Sequence, residues 1–134
     1  MSLGKRHTVA ITVSVLIVTA ALAVAIWLAI PKGFSTDLSV IGNGKPSLVF
    51  VYDRDLLASA RQTEEMNRQR AALEAKVQVL IADTGHPAAR QLMARHGAEP
   101  ITFLLFDASG ALVERWNGPS SVGELRRRLR DTPD

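Results

Sequence analysis

The residues able to do chemistry in this chain are few, and their spacing does not assemble a reactive site. Among its 134 residues there is no cysteine, which removes thiol nucleophiles, disulfide exchange and thiolate metal ligation together. His86 and His96 are ten residues apart at the two ends of one short helical segment, with no carboxylate pattern beside them of the kind a metal site needs. His96 precedes Gly97 and is expected to help a helix C-terminus. Asp53 and Asp55 form a carboxylate pair, the arrangement for general acid–base work, but Arg54 separates them and a helix start follows, so capping is expected. Ser120 and Ser121 have no base placed for them and read as caps. Gly42-Asn43-Gly44-Lys45 is too short for a phosphate loop and precedes a strand instead of joining a strand to a helix. Trp116 reads as a packing residue of a hairpin. No enzyme, cofactor or metal is indicated.

Charge excludes another class. The formal charge is +3, but Lys5, Arg6 and Lys32 flank an apolar segment. The remaining 13 basic residues face 13 acidic ones, so residues 33–134 are formally neutral and have no general pull toward nucleic acid. Arg126, Arg127, Arg128 and Arg130 cluster on a C-terminal helix. There they are expected to complement the helix dipole and face water, with anionic lipid or an acidic partner as the alternative.

That apolar segment organises the chain. After a short basic stretch, residues 1–7, every residue from Thr8 to Ile30 is uncharged, and most are Val, Ile, Leu or Ala. As a helix it would reach roughly 34 Å at about 1.5 Å per residue, enough to cross a hydrocarbon core of about 30 Å. Trp27 suits the interface near its far end, and Pro31 with Lys32 closes it, so Trp27 and Lys32 are the expected anchor residues. Ala21-Leu22-Ala23 and Ala23-Val24-Ala25 resemble signal-peptide cleavage sites. The apolar run continues through Ile30, longer than such a core needs, and a membrane span over residues 8–30 is the expectation. The basic N-terminus favours a cytoplasmic start and a periplasmic or otherwise extracytoplasmic remainder.

Residues 31–46 read as a juxtamembrane connector punctuated by Gly33, Gly42, Gly44 and Pro46, with room for a short strand at Asp37–Ile41. Ser47–Tyr52 is apolar and β-branched, a strand buried on both faces. Asp55 is the expected cap of a long helix to about Ala75. A second strand is expected over Lys76–Ala82, then a helix from Pro87 to His96 closed by Gly97. Ile101–Phe106 and Ala111–Trp116 flank the turn Asp107-Ala108-Ser109-Gly110 as a hairpin. Ser121 and Glu124 make a capping box for a final helix through Arg130. An early βαβ unit followed by a hairpin implies a mixed sheet with helices on both faces.

Taken in order, these pieces resemble a thioredoxin-like domain over roughly Lys45 to Arg130. Lys45-Pro46-x-Leu48-Val49 is similar to the approach to that family's central strand, and Lys76-Val77-x-Val79 to its next parallel strand. His96-Gly97-Ala98 before Ile101–Phe106 resembles the entry to its antiparallel strand, and Asp107-x-x-Gly110 with Gly118 and the capped helix completes the pattern. The resemblance implies an α/β thioredoxin-like mixed sheet over residues 47–131, preceded by one N-terminal transmembrane helix. It also implies where the family's redox parts should stand. By count from Tyr52 the two cysteines correspond to Leu56 and Ser59, the buried acid to Phe50, and the cis-proline to Ile101, with Pro100 one residue early. A serine hydroxyl lacks both the acidity and the disulfide chemistry of a thiolate, so the resemblance is to a redox-inactive member.

The functional expectation is an interaction module. It would be an accessory or assembly subunit of a larger integral membrane complex, respiratory or photosynthetic by analogy, with lipid contacted through the N-terminal helix. A periplasmic chaperone or maturation factor that binds client chains transiently is the alternative. In the resembling family the former active-site edge receives extended peptide. The partner-binding candidates are therefore Tyr52, Asp53, Arg54, Asp55, Leu56 and Leu57, with Pro100 and Ile101 opposite.

Overall fold

The computed structural model describes residues 2–30 and 33–132, which divide into two compact units at Gly33. The first is one helix, α1 (Ser2–Ala29). Its Gly4–Ala29 stretch is long and apolar enough to span a membrane. Thr8, Thr12, Ser14 and Thr19 return their hydroxyl protons to the carbonyl four residues back. That satisfies polar groups that hydrocarbon could not. Pro31 and Lys32, expected to close the span, lie outside the described residues.

The second unit is built on β1 (Ser47–Tyr52), α2 (Leu57–Arg68), α3 (Arg70–Glu74), β2 (Gln78–Asp83), α4 (Pro87–His96), β3 (Thr102–Phe106), β4 (Leu112–Asn117) and α5 (Val122–Arg130). Among the described residues the strands make one sheet in the order β2-β1-β3-β4, parallel between β1 and β2 and antiparallel elsewhere. The expected mixed sheet is therefore present. Alternation along β1 feeds two core layers: Leu48 and Phe50 point to α2, α3 and α5, whereas Val49 and Val51 point to the α4 side. β1, β2 and β3 are buried on both faces because each layer is closed by helices, whereas the edge strand β4 is largely exposed.

Residues 34–46 belong to this second unit. Phe34, only 6% exposed, enters the first core layer. The carbonyl of Ser35 accepts the Ile81 N–H at 2.8 Å, bridging Ser35 to the outer edge of β2. The short strand expected at Asp37–Ile41 is instead a single 3₁₀ turn, Leu38–Val40. The Asp37 carboxylate accepts both N–H and hydroxyl of Ser39 and tightens the chain there. Gly42 and Gly110 then pass so closely that a Cβ on Gly42 would sit 3.0 Å from the Ser109 carbonyl.

Three further expectations are corrected. The long helix begins at Leu57, not after an Asp55 cap. Asp53 takes the Asp55 N–H on Oδ1 and the Leu56 N–H on its carbonyl, so the turn is made two residues earlier. That helix also breaks at Gln69, where φ is −116°, and restarts as α3. No Gly or Pro marks the break. The capping box is half formed: Ser121 Oγ accepts the Glu124 N–H at 3.2 Å, but the Glu124 carboxylate turns to Arg128. Gly97 closes α4 in the left-handed conformation as expected, with φ 59°.

Candidate functional site

The edge at the carboxyl end of β1 is held by hydrogen bonds of its backbone to buried side chains and to neighbouring backbone. Ser59, fully buried in the first turn of α2, accepts the Asp53 N–H on Oγ at 3.0 Å. Its own carbonyl takes the hydroxyl proton of Thr63. The hydroxyl of Ser59 therefore organises the loop below the surface. Opposite, the Ile101 N–H donates to the Val51 carbonyl and the Ile101 carbonyl accepts the Gly118 N–H, both at 2.9 Å. Tyr52 and Ile101 lie half-buried on the first core layer beside Trp116.

The candidates divide into fixed and available groups. Asp53 is committed to the turn. Arg54 reaches Asp83 at 3.2 Å and is otherwise exposed. The Asp83 carboxyl is held below the usual carboxylate range, chiefly because its Oδ1 accepts the Gly85 N–H at 2.8 Å. Burial opposes this, and the bond and charge of Arg54 and the charge of His86 add to it. Leu56 and Leu57 remain 40% and 65% exposed. They do not begin a buried helix face, since α2 buries Ser59, Gln62 and Met66 instead. Pro100 is half-buried, and no peptide bond among the described residues is cis. In place of a cis bond the chain turns at Ile101 itself, with φ 63°, the one non-glycine residue described with a positive φ. A β-branched side chain rarely adopts that conformation.

Phe50, at the position of the family's buried acid, is fully buried 4.9 Å from the Phe103 ring. Among the described residues no cluster of His, Asp or Glu is arranged to hold a metal. His86 lies 3.8 Å from Asp83, and His96 packs edge-on against Phe106. The His96 imidazole is held below its ordinary range by burial first and then by the charges of Arg95 and Arg115.

A polar network near this edge escaped the sequence reading. The Gln62 amide, buried, donates to the Ser120 carbonyl at 2.9 Å and accepts the Ser120 N–H at 2.8 Å. Trp116 donates its indole proton to Ser120 Oγ at 2.9 Å. Phe103 stacks on Trp116, and the Arg128 guanidinium also lies over that ring, 4.4 Å from its centroid, while pairing with Glu114 and Glu124. Arg128 is thus a packing residue of the domain and not simply a solvated dipole complement. A buried glutamine on a strongly polar helix was the available signal; its partner lies 58 residues away.

No family model and no curated protein sequence matches the chain. Solved structures do. An uncharacterized thioredoxin-like protein from Clostridium perfringens is 15% identical over 65% of this chain and 70% of its own, with a TM-score of 0.59. Trxlp from Edwardsiella tarda is 22% identical over 72% of this chain and 95% of its own, at 0.57. A thioredoxin from Thermus thermophilus is 18% identical over 75% and 86%, at 0.58. Likeness at these identities is likeness of fold, and the fold of residues 34–132 is thioredoxin-like.

Proposed function

We propose that this cysteine-free chain on a thioredoxin-like fold is a non-catalytic module that binds a partner protein while tethered to a membrane by α1. Its role is that of an accessory or assembly subunit of a larger membrane complex, with residues 33–134 on the extracytoplasmic side, opposite Lys5 and Arg6. The observation that carries this reading is the exposed pair Leu56 and Leu57 on a hydrogen-bonded edge, with Tyr52 and Ile101 beside it. Apolar groups held on a fixed backbone lose little freedom on binding, which is what an interface core needs. The Ile101 amide and carbonyl are already bonded within the domain. Contact at this edge is therefore made by side chains and not by adding a strand.

Gentle detergent extraction of tagged chain, followed by size analysis and identification of whatever co-migrates, tests the role. A discrete assembly of fixed stoichiometry supports a subunit. A small monodisperse species with sporadic clients would replace it with a transient chaperone or maturation factor. Leu57→Glu is expected to release the partner while leaving the domain folded, and recovery of an unchanged assembly would remove this edge from consideration. A fusion after Asp134 that is active only in the cytoplasm would reverse the assigned topology.

A further inference from the structure

The formally neutral domain distributes its charge unevenly. Between α3 and α5 runs a groove of about 690 Å³ lined by Ala72, Ala75, Lys76, Gly123, Arg126, Leu129 and Arg130. Three of these side chains are cationic and none is acidic. Lys76, Arg126 and Arg130 are all exposed, and no ion pair is recorded for them among the described residues. The neighbouring cations differ: Arg70 pairs with Glu74, and Arg128 is taken up by Glu114, Glu124 and Trp116. The nearby acid in sequence, Asp131, is the C-cap residue of α5. Complementing the dipole of α5 accounts for a cation at Arg130, in its last turn. It does not account for Arg126 at mid-helix or for Lys76 beyond the end of α3. Small side chains at Ala72, Ala75 and Gly123 leave the floor open beneath the three charges.

We infer that this groove binds the phosphate headgroup of an anionic membrane lipid. The inference rests on the membrane tether proposed above. The compact domain begins at Phe34, five residues past the end of α1. Extended chain covers about 3.3–3.6 Å per residue, so the tether spans at most roughly 18 Å. A domain held that near a bilayer meets headgroups continuously, and three cations without an ion pair among the described residues, over an open floor, complement a phosphodiester with glycerol above it.

The absence of native cysteine makes the test clean. Full-length chain carrying Ala71→Cys, labelled beside the groove with an environment-sensitive fluorophore, is incorporated into nanodiscs. The discs contain either phosphatidylcholine alone or a mixture with phosphatidylglycerol, each with a headgroup-attached quencher. Quenching should be strong with phosphatidylglycerol and weak without it. Lys76→Glu, Arg126→Glu and Arg130→Glu should each weaken it roughly fivefold. Arg61→Glu, an exposed cation outside the groove, should leave it unchanged, and thermal melts confirm that each variant is folded. Equal quenching in both lipids, or selectivity surviving the three reversals together, overturns the inference. So does an equal response to inorganic phosphate in phosphatidylcholine discs, which would make the groove a free-anion site. Failure of the chain to enter the discs overturns the tether itself, and is distinguishable from loss of lipid selectivity after entry.

Discussion

Ser59 receives the amide proton of Asp53 on its Oγ, 3.0 Å away, across the turn that joins β1 to α2. The buried Ser59 hydroxyl faces inward and closes the loop. Removing that acceptor strands the Asp53 N–H at a half-buried site. Ser59→Ala should therefore lower stability by about 1 kcal/mol, shifting the melting temperature by roughly 4–8 °C for a domain of this size. A thermal melt that does not move would mean that the turn is held by Asp53 alone.

Gln62 and Ser120 exchange two hydrogen bonds inside the domain. Gln62→Leu keeps the volume but leaves the Ser120 amide and carbonyl without their partner, and is expected to be destabilising by about 1–3 kcal/mol. Denaturant unfolding measures this directly, and a neutral result would show that water or a shifted loop replaces the amide.

Two adjacent arginines on α5 should behave differently. Arg128→Ala removes the guanidinium stacked on Trp116 and the ion pairs to Glu114 and Glu124. A loss on the order of 1–2 kcal/mol is expected. Arg127→Ala, exposed with no ion pair recorded, should stay within about 0.5 kcal/mol of the parent. Equal melts for the two variants would contradict the packing assigned to Arg128.

Acid should weaken the domain in two windows. His96 titrates below its ordinary 6.5 in the folded state. The unfolded chain therefore takes up that proton first, and stability falls as pH drops through 6.5 and below. Asp37, Asp83 and Asp107 are depressed from 3.8, each mainly by hydrogen bonds to its carboxylate. Their contribution is present above 3.8 and is lost as pH falls below it. Stability measured against pH in parent and His96→Gln should differ in slope only in the upper window.

At Ile101 two effects oppose one another. A positive φ of 63° strains a β-branched residue by about 1–3 kcal/mol, whereas its half-buried side chain packs on the core layer beside Tyr52. Ile101→Asn, which tolerates that conformation, should fall within about 1 kcal/mol of the parent in denaturant unfolding. A larger loss would mean that packing outweighs the strain relieved.

The sequence carried the strands and the mixed character of the sheet well, because Leu48 to Val51 and Phe103 to Phe106 are apolar without interruption and every such residue is buried. It carried the end of α4 as well, since Gly97 alone supplies the left-handed closure. What it hid was non-local or locally ambiguous. Phe34 stands among glycine-punctuated residues that read as a linker, and only the open edge of β2 gives it a place. Asp53 and Asp55 are equivalent as caps by composition; the buried hydroxyl of Ser59 decides between them. Exposure of Leu57 was not legible either, because it depends on which face of α2 the buried Gln62 and Met66 select.

The way Phe34 and Ser35 join the domain has a mechanical consequence. Any tension transmitted along the chain from the apolar helix arrives first at one buried ring and one hydrogen bond to Ile81. β1, bonded along its length to two neighbours, is reached only afterwards. Load is thus met by Phe34 and Ser35, and then by the packing of Leu38, Val40 and Ile41, before it reaches the sheet.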